Sequence, residues 1–144
     1  YDMDYAEKAK KVSSMAKDLC EVLKESDLPA TKGIRKSETI AFQVPCTLQH
    51  GPNLQSNVEK ILEKAGFALT NVPDSHICCG SAGTYSIFQS ELSNRLLKNK
   101  LKNLESGKPD MIVTANIGCQ LHMQKAASVP VVHWIELLDK TLDG

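Results

Sequence analysis

The sequence predicts an α/β domain: a small, mainly parallel four-stranded sheet with helices on both faces and an added N-terminal helix. Two observations predict it. Short apolar, β-prone runs at residues 39–44, 67–72, 111–115 and 129–132 alternate with segments of helical period. Strands joined by helical crossovers run parallel, and a parallel sheet is covered on both faces.

Each element has its own signal. Over residues 3–25, Val12, Met15, Ala16, Leu19 and Leu23 recur at three- and four-residue steps between lysines and acids, which predicts an amphipathic helix. Residues 26–37 carry Pro29 and Gly33 and read as a loop. The first strand stops at Pro45. Residues 53–65 return to helical period through Val58, Ile61, Leu62 and Ala65, with Gly66 as a stop. After the second strand, Pro73-Asp74 opens a loop that runs to about Thr84. A helix over residues 88–105 follows, with Leu92, Leu96, Leu97, Leu101 and Leu104 as its apolar side and Gly107 and Pro109 as its end. The third strand, a short helix over 117–127, the fourth strand and a last helix over 134–142 complete the order.

With 144 residues the chain suffices for one domain with a core. Residues 1–37 are expected to form an N-terminal helix and loop, and 38–144 the α/β core. The chain opens on Tyr1 rather than methionine, so it is expected to be a fragment of a longer one. Lysine plus arginine total 17, as do aspartate plus glutamate, which gives nucleic acid or an anionic membrane no electrostatic hold. Aromatics are only 5%, too few for base-stacking platforms. No apolar run approaches the roughly 20 residues of a membrane-spanning helix, and the first residues do not resemble a signal peptide. A reducing, cytoplasmic setting and thiol chemistry are therefore expected ahead of a disulfide framework.

Five cysteines carry the chemistry. In an open parallel sheet, ligands bind beyond the carboxyl ends of the strands. Cys46 follows the first strand, Cys78 and Cys79 lie in the loop after the second, and Cys119 follows the third. Parallel strands deliver all four thiols to one edge. Thiolates select zinc, copper(I) and iron–sulfur clusters over hard cations. Gly80 and Gly83 beside the pair would let the backbone approach such a group and donate N–H groups to its sulfurs. Cys20 borders the apolar stripe of its helix and reads instead as a small buried hydrophobe. No Cys-x-x-Cys of thioredoxin type and no paired zinc-ribbon motif is present.

Cys46, the Cys78-Cys79-Gly80 triplet and the Cys119 group resemble the cysteine-rich CCG domain. That domain occurs in the heterodisulfide reductases, the small subunit of anaerobic glycerol-3-phosphate dehydrogenase, lactate-utilisation proteins and the iron–sulfur subunit of glycolate oxidase. The wording of residues 45–51, 78–86, 114–119 and 133–136 is most similar to the last. The resemblance covers residues from about 39 to 140. It implies electron transfer by a 4Fe–4S type cluster within an oxidoreductase complex. The partners implied are flavoprotein subunits, with FAD there and glycolate oxidised to glyoxylate there, and no catalysis by this domain alone. It leaves room for peripheral association with the inner membrane through the complex. The sequence departs from the family where Cys-x-x-Cys is usual: here Cys119 is followed by His122. His122 thus enters as a fifth metal-ligand candidate or as a residue behind the ligands, and zinc stays open beside the cluster. With zinc, or with no metal, the domain would be a docking module without redox function.

The remaining candidates read more simply. His50 and His76 suit loop hydrogen bonds better than ligation, and His133 stands near the same edge. Trp134 suits a core or subunit contact, and Asn116 a helix cap. Lys98, Lys100 and Lys102 read as a solvated helix face. No arginine closely follows Cys46, and no glycine-rich phosphate loop with a lysine is present, so no catalytic residue is assigned.

Overall fold

The computed structural model describes residues 3–24, 38–50 and 54–142. The expected loop at 26–37 and the glycine at position 51 lie outside them. Four strands, β1 (Thr39–Gln43), β2 (Ala68–Leu69), β3 (Met111–Thr114) and β4 (Val131–His133), form one sheet in the order β2-β1-β3-β4. Every pairing is parallel, with Ile40 opposite Met111 and Ile112 opposite Val131 fixing the register. From β1 the chain moves outward to β2, then crosses back to β3 on the other side. The order therefore reverses between β1 and β3, the kind of position where open α/β sheets hold ligands.

Side chains alternate across the sheet and build two cores. Ile40, Phe42 and Val113 face α2 (Leu19–Lys24), α4 (Gln55–Lys64) and α8 (Trp134–Leu142), with Cys20, Val58, Leu62, Trp134 and Leu138 filling that side. Ala41, Ile112 and Val131 face α6 (Ser90–Glu105) and α7 (Ile117–Met123), where Leu97, Leu101, Leu104 and Met123 pack with Cys79 and Cys119. Trp134 is a core residue, as expected, and Cys20 is fully buried on the face opposite the other cysteines' core.

The structure departs from the expectations at several points. The N-terminal helix is broken: after a 3-10 turn at Met3–Tyr5, α1 (Ala6–Met15) ends at an extended Ala16 and α2 starts afresh. The cause is a reciprocal cap, in which Asp18 Oδ1 accepts from Cys20 N at 2.9 Å and Glu21 Oε2 accepts from Asp18 N at 2.7 Å. Val12 and Met15 consequently remain exposed rather than lining a core. Strand β2 is two residues long, shorter than the expected run over 67–72. The expected helix over 88–105 is split at Gln89, with α5 (Tyr85–Phe88) preceding α6. Finally, Lys100 is not part of a solvated face. It is fully buried, while Lys98 and Lys102 are exposed. Residues 98 and 102 share a helix face and 100 points the opposite way, into the stripe of Leu97 and Leu104.

Candidate metal centre

Each thiol is delivered by the end of a strand. Cys46 opens α3 (Cys46–His50) two residues beyond Val44. Cys78 and Cys79 sit in the loop after β2, and Cys119 lies in the first turn of α7, after β3. The turn into α7 is held by Asn116, whose Oδ1 accepts from Cys119 N at 3.0 Å, the cap expected of it. Asn116 is itself placed from below: its N–H donates to Thr114 Oγ1 at 3.3 Å, and Thr114 Oγ1 donates to Gln43 Oε1. A buried polar chain thus runs from β1 through β3 to the backbone of Cys119.

The four cysteines line one cavity of about 390 Å³, together with Thr47, Ser81, Gly83, Asn116 and Gly118. No aspartate or glutamate lines it, which suits soft metals and not calcium or magnesium. Cys79 Sγ lies 3.2 Å from Cys119 Sγ and 3.2 Å from Ser81 Oγ, and Ser81 Oγ lies 3.9 Å from Cys119 Sγ. All the cysteines are free thiols. Cys46 is exposed, Cys78 half-buried, Cys79 and Cys119 buried, so the cavity is open on one side and dry on the other.

The thiols are electrostatically unequal. The shared proton from Cys119, then the hydroxyl and amide of Ser81, draw Cys79 down to about 5 against the cost of burial. Cys119 is driven strongly upward, chiefly because it holds that proton for Cys79 and also because it is buried. Burial likewise raises Cys78, with the Gly80 N–H, 3.3 Å from its Sγ, working the other way. Of the pair, Cys79 is the thiol whose surroundings favour the thiolate, the form of cysteine that binds metals.

The two glycines have different tasks. Gly80 has φ +91° and packs so tightly that a Cβ there would lie 2.5 Å from the Ser93 carbonyl oxygen. Its N–H faces Cys78 and its carbonyl accepts from Ser93 Oγ at 2.7 Å. Gly83, φ +47°, borders the cavity, and a Cβ there would meet nothing within 4 Å. His122 is buried and does not line the cavity; its Nε2 lies 3.3 Å from Ser93 Oγ. His122, Ser93 and Gly80 thus form a prop behind the paired cysteines. His50 and His76 are exposed and line no part of the cavity, and His133 Nδ1 accepts from Ile135 N at 3.4 Å.

Sequence reasoning missed Ser81, Ser93 and the Gln43–Thr114 pair. Only Ser81, adjoining the cysteine triplet, had a signal. Ser93 meets Gly80 across a gap of 13 residues that no local pattern encodes.

The chain is 52% identical over 142 residues to the glycolate oxidase iron-sulfur subunit of Escherichia coli, covering 99% of this chain and 35% of that protein. It is 27% identical over 145 residues to lactate utilization protein A of Bacillus licheniformis, covering 94% of this chain and 59% of that protein. The corresponding protein of Bacillus subtilis is 25% identical over 148 residues, with 96% and 60% covered. The chain thus spans between about a third and three-fifths of the length of these relatives. Residues 40–124, which include all four convergent cysteines, match the CCG cysteine-rich domain, and the chain belongs to that family.

Proposed function

We propose that this chain is an iron–sulfur electron-transfer domain, one part of a longer subunit of a 2-hydroxy-acid oxidoreductase of the glycolate oxidase type. Cys46, Cys78, Cys79 and Cys119 are its metal ligands, holding a cluster of the 4Fe–4S type. The observation that carries this reading is the meeting of four thiols around one carboxylate-free cavity at the switch point of the sheet. The similarity to the E. coli subunit supports the assignment to that class of complex.

When bound, the cluster supplies storage for one electron at a time. Oxidising glycolate to glyoxylate releases two electrons and two protons. A flavoprotein partner would supply the two-electron chemistry through its FAD, and this domain's four cysteines would hold the group that accepts the electrons one at a time. The protein's own part is to bind and orient. Cys79 offers the thiol whose surroundings favour its thiolate, the Gly80 and Ser81 amides and the Ser81 hydroxyl donate toward sulfur, and the α6 and α7 core excludes water from the inner side. His122 acts from behind, holding the Gly80 carbonyl through Ser93, and is not a ligand. Among the described residues no helix is long and apolar enough to cross a membrane, and contact with the inner membrane runs through partner subunits.

A zinc-holding docking module is the competing reading. One zinc ion needs four donors about a point, whereas among the described residues no three His, Cys, Asp or Glu side chains are grouped for a single ion. The similarity to the E. coli glycolate oxidase iron-sulfur subunit supports the cluster. Anaerobic purification with analysis of iron, acid-labile sulfide and zinc separates the two. Iron and sulfide in matching amounts are expected; stoichiometric zinc without sulfide would sink the cluster assignment.

A further inference from the structure

Lys100 is the largest fully buried side chain among the described residues. Lysine is almost never fully buried unless paired, because an ammonium loses its hydration there. Lys100 does not escape along its stem to solvent. It stands on α6 in the same stripe as Ser93, Leu97 and Leu104, on the face that packs against Cys79 and Cys119. Its Nζ donates to the carbonyl oxygen of Ser75 at 2.6 Å, three residues before Cys78. Among the described residues no carboxylate forms an ion pair with it. A neutral methionine would fill the same space more cheaply if packing were the only task.

The charges that bear on this ammonium are the thiols of the candidate centre. Burial dominates and leaves Lys100 below the ordinary lysine range, while negative charge on Cys79, Cys119, Cys46 and Cys78 acts the other way. The four cysteines in question are the four that line the cavity.

We infer that Lys100 is the built-in countercharge of the metal centre: held beneath the cysteine loop by the Ser75 carbonyl, its ammonium stabilises the electron the centre accepts. This rests on the proposed cluster. The step is one-electron reduction: an oxidised centre gains one electron from a reduced flavin donor and becomes one charge more negative. A fixed positive charge in a poorly screened interior favours the more negative state and raises the midpoint potential. Lys100 touches no reacting atom and is a positioning and tuning residue.

The test is a redox titration of the full-length subunit, followed by EPR, in which the signal lost in Cys79→Ser identifies this centre. Lys100→Met removes the charge and keeps the length; Lys100→Arg keeps the charge. The Met variant is expected to retain the signal but to shift the reduction equilibrium against the reduced form by on the order of tenfold, about 59 mV for one electron. The Arg variant is expected to stay near the parent potential. An unchanged potential in Lys100→Met overturns the inference while leaving the cluster assignment intact. Equal shifts in Met and Arg overturn it too, as the mark of a packing effect. If the Met variant does not fold, Lys100→Gln answers the same question, with the same shift supporting the inference and no shift overturning it. If the parent has no Cys79-dependent signal, the cluster assignment fails and this inference falls with it.

Discussion

In Cys79→Ser, iron and acid-labile sulfide at this centre are expected to fall close to zero, while Cys20→Ser leaves both unchanged. The two cysteines are equally buried, at 2% and 0% exposure, so burial alone cannot separate them. Their surroundings do. Cys79 sits 3.2 Å from another thiol and 3.2 Å from a hydroxyl, and is drawn down to about 5. Serine there keeps its proton at neutral pH and offers a hard oxygen where iron and sulfide call for thiolate. Cys20 packs on the opposite face of the sheet, its Sγ 4.0 Å from the Leu54 carbonyl, and burial lifts it to about 12. It is neutral at any working pH, and serine there should cost only about 1 kcal/mol of stability. Equal iron loss from the two variants would refute the division between packing and ligating cysteines.

The largest effect on stability is expected from Gly80→Ala. Its φ of +91° strains any residue with a Cβ, and that Cβ would sit 2.5 Å from a backbone oxygen of α6, which cannot swing aside like a side-chain tip. Strain and overpacking together should cost about 2–4 kcal/mol. The loop and α6 must then part, breaking the Ser93–Gly80 hydrogen bond and loosening the cysteine pair. Gly83→Ala is the control, since φ there is +47° and the Cβ meets nothing within 4 Å. It should cost about 1 kcal/mol. Urea unfolding of the two variants, compared by midpoint at constant slope, checks this; similar losses would contradict the steric account.

Much of the site was legible because parallel strands turn sequence order into position. Cys46, Cys78, Cys79 and Cys119 each follow a strand, so the sheet alone brings them to one edge. Asn116 and Trp134 were legible from the same strand-to-helix turns. The break between α1 and α2 was harder, although Asp18 and Glu21 stand three apart as a capping pair must. The apolar period runs straight across them and suggests one helix. Lys100 was concealed by its type, since charge overrides phase in a pattern search. Yet Ser93, Leu97, Lys100 and Leu104 fall at steps of four, three and four, and phase placed it inside. The downward shift of Cys79 could not be read at all, because its largest cause is Cys119, 40 residues away.

The central claim is that these four thiols hold a centre which gains and loses electrons. EPR of the anaerobically purified full-length protein, oxidised and then reduced, against the same samples of Cys79→Ser, tests it most directly. The expected result is a signal that changes on reduction and is missing from the variant. Identical spectra from parent and variant in both states would contradict it.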